Sequence, residues 1–505
     1  MEGIEAQRPV GYACRICGEI AVNDLDDAFL CTSHSTQSIT IDLRSTDLAV
    51  DVSDDWRRHT DSPRSASDPT HSTDTLSAQS DHPARYFGLA GRVQRSHRIW
   101  LVLTLLACVP VAAWWIQRIV DTPAHGWFEG TTTFEVGGDF AVFYTGGALV
   151  ADGDAGQLYD VSAFQDHYAA RTGLPPTVFT AFGNPPAFAV AVAPLAAMPW
   201  VVAWIVWTVL SLAALAAALA LFGVPRPLLV TGIVLLTLPA YLAIANGQSP
   251  FFWLLIIAGV FVALRRDSKV AAGALAGLLI LKPPLLIGFA LWWLIDRRMH
   301  RALLAAMASA AGIVVISLPV VGRAWLEYPI AASRFADLQR ESDGLSMQFS
   351  PWGFIDLLIP GHPGLATVVG FSAALLGVAA FVIFYRHHRG EWQLLFAASI
   401  VATLWISPHV NAYDWVLLIA ALAVLWRSRP ASAGVWMSAA IVLAFGSLWS
   451  ILLTNLMRDG LGWAIKLAVP ILAMVAWLVA RHLRTNRQSG LAPITVRHFS
   501  PTQPM

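Results

Sequence analysis

The segment Gly138-Asp139-Phe140-Ala141-Val142-Phe143-Tyr144 lies a short way after the first long hydrophobic run. It continues as a polar, glycine-bearing stretch through Asp152, Asp154, Tyr159 and Asp160. An acid tied so closely to a membrane helix is a place for proton chemistry, because desolvation lifts a carboxylate toward neutral pH. Other polar residues interrupt hydrophobic runs further on: Asn246-Gly247-Gln248-Ser249, Lys282-Pro283-Pro284, and Ser407-Pro408-His409-Val410-Asn411-Ala412-Tyr413-Asp414. Polar groups at membrane depth cost a few kcal/mol each and mark a cavity or a site. A separate cluster, Cys14-Arg-Ile-Cys17 and Cys31-Thr-Ser-His34, offers four soft ligands in two knuckle-like pairs suited to tetrahedral zinc.

Each of these residues also has a plainer reading. Asp139 is a favoured N-cap type ahead of a helix over Phe140–Leu149. Asn-Gly-Gln is a turn sequence, and Lys282 could snorkel to an interface. His409 could be a hydrogen-bonded packing residue, and Asp414 a first-turn partner of a helix dipole. The cysteines could be incidental thiols in an unstructured tail. No one of these residues decides the matter, but most of the unusual ones fall on one side of the chain's membrane pattern.

That pattern comes from composition. The 505 residues are 56% hydrophobic and 13% charged, with a mean hydropathy of +0.58, where a soluble chain carries roughly 25% charged residues. So little charge cannot cover a water-facing surface, and the chain is expected to be an all-α polytopic membrane protein. The net charge of zero gives no field that favours nucleic acid. The 21 Trp suit aromatic belts at two interfaces. Arg92, Arg95 and Arg98 precede the first run as a cytoplasmic anchor, too late in the chain for a cleaved leader.

Spans need about 20 apolar residues. The long runs, with shorter half-helix-like ones at Pro186–Met198, Val270–Leu281 and Leu285–Ile295, predict 11 to 13 spans. Basic pairs at Arg265-Arg266, Arg297-Arg298, Arg386 with Arg389, Arg427 with Arg429, and Arg481 with Arg484 share one parity, the cytoplasmic side. Loops 121–185, 322–364, 407–413 and 454–463 then face outward. Pro186–Met198 followed by Val201–Phe222 counts as two crossings where one is needed, which a re-entrant first piece would resolve. The expected organisation is a zinc-ribbon-like segment at 1–50, a disordered cytoplasmic linker at 51–97, a transmembrane domain at 98–480 and a cytoplasmic tail at 481–505.

The order of short motifs resembles glycosyltransferase family 87. Asp139-Phe-x-x-Phe-Tyr144, a Gly-Asp and Leu158-Tyr159-Asp160 resemble its first-loop signature. Pro185-Pro186, Pro194-Leu-Ala before Pro199-Trp200, Asn246-Gly247-Gln248, Leu281-Lys282-Pro283, and Ser407-Pro408 with Tyr413-Asp414 follow in order. These are GT-C class enzymes related to the polyprenol-phosphate-mannose-dependent mannosyltransferases of actinobacterial phosphatidylinositol mannosides. The resemblance spans about residues 98–480 and implies a GT-C helical bundle in a bacterial-type inner membrane.

By this resemblance, Asp139 is the general base that takes the acceptor hydroxyl proton while configuration inverts. The donor is a hexose such as mannose on a polyprenyl phosphate, and the acceptor is an extracytoplasmic lipid or glycan. No nucleotide-binding motif is apparent, which fits such a donor. His409 and Lys282 are candidates for the leaving phosphate, with an arginine of 322–364 as a third. Tyr144, Asn246 and Gln248 are further candidates for substrate binding, and Phe140 and Trp127 for sugar stacking. No cofactor is required for transfer by this reading, although a divalent ion beside the first-loop acid is open, with Asp152, Asp154 and Asp160 at hand. Two departures leave sugar and acceptor open: Asn184 stands where many relatives have an aromatic residue before Pro-Pro, and the surroundings of His409 differ from the mannoside-building enzymes.

Two other classes compete. A transporter or flippase of lipid-linked sugars would use broken helices and midplane polar groups, but no internal repeat is evident and the polar groups gather at one face. A non-catalytic scaffold would recruit a partner through the zinc ribbon.

Overall fold

A computed structural model describes residues 12–13, 20–23, 29–30, 137–176, 180–340, 345 and 347–488, in two compact units divided at Ser80 and Asp81. In the first unit, β1 (Tyr12–Ala13), β2 (Ile20–Asn23) and β3 (Phe29–Leu30) pair antiparallel in the order β1-β2-β3. The all-α expectation holds for the described part of the second unit. Cys14, Cys17, Cys31 and His34, the 51–97 linker, the run Ile99–Val120, Trp127 and the residues beyond Gln488 lie outside the described residues.

The described part of the second unit is helical: α1 Gly138–Asp152, α2 Val161–Thr172, α3 Pro186–Val192, α4 Trp200–Leu221, α5 Pro227–Leu235, α6 Leu238–Ala245, α7 Pro250–Arg265, α8 Lys269–Gly277, α9 Ile287–Ile295, α10 His300–Val321, α11 Ala324–Arg340, α12 Pro351–Leu358, α13 Pro363–His387, α14 Trp392–Ile406, α15 Leu418–Ser428, α16 Ala433–Leu461 and α17 Ala468–Gln488. Proline sits in the first turn of α3, α5, α6, α7, α12 and α13. It costs little there because a first-turn N–H has no partner within the helix. Leu304, Met307, Val315 and Ile316 on α10, and Val368, Phe371, Leu375 and Leu376 on α13, are exposed. Helices this apolar on their outer faces need lipid around them.

Among the described residues, five helices are long and apolar enough to cross a membrane, or six if α5 and α6, bent by 84°, form one span. The expected 11 to 13 spans are not reached by such helices. Five further apolar helices have only 10–17 residues, and two of these are halves of one hairpin.

Two ends of the bundle can be traced through contacts. At one end Arg429 pairs with Glu391, a Cβ on Gly223 would strike the Arg427 guanidinium, and one on Gly390 would lie 3.9 Å from the Arg298 guanidinium. The basic residues Arg298, Arg427 and Arg429 thus meet the end of α4 and the turn between α13 and α14. At the other end Phe349 N–H donates to the Val410 carbonyl at 2.7 Å and Asp139 N–H to the Asn246 carbonyl at 3.0 Å. The predicted half-helices near Lys282 turn back between these ends. Pro283 disfavours the α conformation at the residue before it, and Lys282 breaks the helix at φ −142, ψ 77. A Cβ on Gly273 would collide with Ala302, and one on Gly277 with Ser309, so α8 runs parallel to α10. One on Gly288 would collide with Ser399 midway along α14, while Arg298, past the end of α9, lies by Gly390 ahead of α14, so α9 runs antiparallel to α14. Both arms therefore open at the basic end, and the hairpin lifts Lys282 at its apex toward the other end.

The segment near Pro186 is held at both of its ends. Tyr159 OH donates to the Asn184 carbonyl at 2.7 Å and Tyr144 OH to the Met198 carbonyl at 2.8 Å. Both ends of the α3 segment are thus tied to α1 and the turn that follows it. Of α3 and α4, only α4 is long and apolar enough to cross a membrane.

Candidate functional site

The N-terminus of α1 is docked on the turn between α6 and α7. Gly137 N–H donates to Ala245 carbonyl at 2.6 Å, and the N–H groups of Asp139 and Phe140 share the Asn246 carbonyl at 3.0 and 3.2 Å. The turn requires Gly247, whose φ is +66 and whose Cβ would overlap that of Phe140. Its carbonyl accepts Trp207 Nε1–H at 2.8 Å. Asn246-Gly247-Gln248 is a turn, as its sequence reads, and it is also the seat of the helix that holds Asp139.

Asp139 is not the N-cap. Gly137 takes that position in the left-handed region with no side-chain cap. The half-buried Asp139 carboxylate instead accepts Gln248 Nε2–H at 2.7 Å. Burial raises its pKa to about 6, against the Gln248 hydrogen bond and the positive charge of Lys282, which both lower it. It is a carboxylate that can exchange a proton near neutral pH.

Lys282 does not snorkel. Its ammonium pairs with Asp414 at 2.5 Å, with side chains 12% and 1% exposed, and lies 5.3 Å from the Tyr413 ring centre. The other Asp414 oxygen accepts Asn411 N–H at 3.0 Å, so the helix-start reading of Asp414 stands beside its ion pair. Asn411 Nδ2 donates to Tyr413 OH at 2.5 Å. His409 is held low, to about 4, by burial and by Lys282, with Asp414 acting the other way. It is therefore neutral at pH 7 and offers a hydrogen bond in place of a charge. Its ring lies 6.1 Å from Phe335 of α11. Phe335 and Arg334 line a small apolar groove with Tyr159, Phe164 and Phe182.

The geometry brings together Asp139, Gln248 and Asn246, places Lys282 and Tyr413 within electrostatic reach of Asp139, and places His409 and Asp414 within reach of Lys282. Tyr144 is not among them. It is buried, its hydroxyl is used by Met198, and its ring packs 6.2 Å from Phe140. Phe140 is likewise fully buried against Trp207 at 5.3 Å, so neither ring offers a face to a sugar. The first-loop acids do not gather as a metal set: Asp152 pairs with Arg171, and Asp160 caps α2 through the Ser162 and Ala163 N–H groups. Among the described residues no three His, Cys, Asp or Glu side chains cluster as cation ligands.

One charged residue escaped the sequence reading. Lys466 is fully buried between α16 and α17, 5.4 Å from the Phe349 ring centre. Burial and nearby Arg458 lower its pKa to about 7. A lone lysine close to the apolar start of a span was its only signal.

Residues 182–408 match the family model of glycosyltransferase family 87. This is the family that the order of the motifs resembles. The family 87 stretch contains Asn246, Gln248 and Lys282 and ends immediately before His409, while Asp139 precedes it. Together with the membrane-length helices, the match supports a membrane glycosyltransferase. No curated protein and no solved structure gives a match.

Proposed function

We propose that this chain transfers a hexose, mannose-like, from a polyprenyl-phosphate donor to a hydroxyl of an extracytoplasmic lipid or glycan, with inversion at the anomeric carbon. Asp139 takes the hydroxyl proton as that oxygen bonds to the anomeric carbon. The bond from the anomeric carbon to the phosphate oxygen breaks, its electron pair stays on the phosphate, and polyprenyl phosphate leaves. Lys282 balances the charge that develops on the leaving oxygen, and neutral His409 donates a hydrogen bond to it. Gln248 orients the base. The membrane lets the donor's isoprenoid tail remain in lipid while its head reaches the site.

The observation that carries this reading is the Asp139 carboxylate, poised near pH 6, within reach of a lysine tethered by Asp414 at the end of the bundle away from the basic clusters. Flipping of lipid-linked sugars is the second reading, favoured by the hairpin broken at Lys282 and the 84° bend between α5 and α6. Mass spectrometry of envelope glycolipids from cells with and without the chain separates the two. Transfer predicts loss of a glycolipid one hexose heavier than a species that accumulates. Flipping predicts build-up of the polyprenyl-phosphate sugar itself with no such mass pair, and that outcome would refute the transferase reading.

A further inference from the structure

Lys282 lies close enough to Asp139 to bias its proton affinity, yet its ion pair is with Asp414. The two acids differ in how they are held. One Asp414 oxygen receives the Asn411 N–H at 3.0 Å, and Asp414 N–H donates back to the Asn411 carbonyl at 2.9 Å. Asn411 is itself bridged to Gln348 of the segment before α12. Asp414 is 1% exposed and fixed, whereas Asp139 is half-buried and held at its carboxylate by one neutral amide. The groups facing this pair are the Gln248 amide from the α6–α7 turn, Lys282 from the hairpin apex, and His409, Tyr413 and Asp414 from the segment after α14.

We propose that Asp414 is a positioning residue for the transfer: it tethers the Lys282 ammonium so that it faces Asp139 without pairing with it, leaving Asp139 free to receive the acceptor's proton. An ammonium in so closed a place does not stay unpaired, because an uncompensated buried charge is strongly unfavourable. Without Asp414 the lysine still has Asp139 within its electrostatic reach, and it moves onto that carboxylate. A paired Asp139 is a weaker base and is blocked from the hydroxyl. This inference rests on the transferase reading, and its test separates the two.

Lysine occurs only at 269, 282 and 466, so the Lys282 amine can be followed in the full chain. Solid-state NMR in lipid bilayers, with 15Nζ-lysine and 13Cγ-aspartate labels, reads a short nitrogen-to-carboxyl contact, assigned through Lys282→Arg. In the unaltered chain the contact survives Asp139→Asn. In Asp414→Asn the contact persists but now disappears when Asp139→Asn is added. Transfer from polyprenyl-phosphate [14C]mannose, measured across pH in the same preparations, falls at least about tenfold at its plateau in Asp414→Asn. The acid limb moves to lower pH, and Asp414→Glu restores both. Loss of the contact in Asp414→Asn alone, or an unmoved acid limb, overturns the proposal. If the contact moves as stated but the unaltered chain transfers no sugar, the transferase reading falls while the tether itself stands.

Discussion

Asp139 and Gln248 stand 109 positions apart, and a 2.7 Å hydrogen bond joins them. Asp139 was legible because an acid in a polar stretch beside a hydrophobic run is uncommon, and Asn246-Gly247-Gln248 because it breaks an apolar pattern. Their pairing was not legible, since nothing in local periodicity reports a contact over such a distance. The same holds for Lys282 and Asp414, each of which reads alone as a snorkelling lysine or a dipole partner. Tyr144 misled because an aromatic next to an acid reads equally as a sugar platform or as core.

The protonation state gives the residue-scale prediction. Asp139 must be deprotonated to act as base, so kcat/KM for transfer should fall about tenfold per unit as pH drops below about 6. Gln248→Leu removes a hydrogen bond that favours the carboxylate, so the acid limb should move to higher pH. A limb that stays in place in this variant would separate Gln248 from the titrating group.

The seating of α1 is an element-scale property. Gly247 supplies both the positive φ and the missing Cβ that let Phe140 and Asp139 approach the turn. Gly247→Ala should cost about 1–3 kcal/mol, through strain and the push against Phe140, and should lower transfer more than Gly232→Ala. Gly232 has open space where a Cβ would lie. Equal losses in the two variants, compared by thermal unfolding and activity, would argue that the turn does not seat the acid. The half-helices around Lys282 were visible as short runs flanking Lys-Pro-Pro. Their return to the same end was not, because hydrophobic periodicity carries no direction. The closeness of Gly273 to Ala302 and of Gly288 to Ser399 is what fixes the hairpin.

Across the whole molecule, charge parity anticipated that the basic loops would gather at one end. Among the described residues fewer helices than the expected 11 to 13 have the length of a span, because five of the apolar runs fold as helices of 10–17 residues. The proposed orientation can be read by labelling single cysteines with a membrane-impermeant maleimide, in a chain whose four native cysteines are replaced by serine. Ser333→Cys, exposed on α11, should label in intact cells. Ser268→Cys, exposed between α7 and α8, should label only after permeabilisation. The reverse pattern would place the site in the cytoplasm and exclude the proposed donor geometry.

The central claim is that Asp139 is the base for sugar transfer, and its most direct test is the rate of transfer from a polyprenyl-phosphate [14C]mannose donor by Asp139→Asn in membranes. The amide keeps the shape and can still meet Gln248 but cannot take a proton, so the rate should fall by about 10²–10⁴ while the protein accumulates and unfolds as before. Transfer within a few-fold of the unaltered chain would contradict the account.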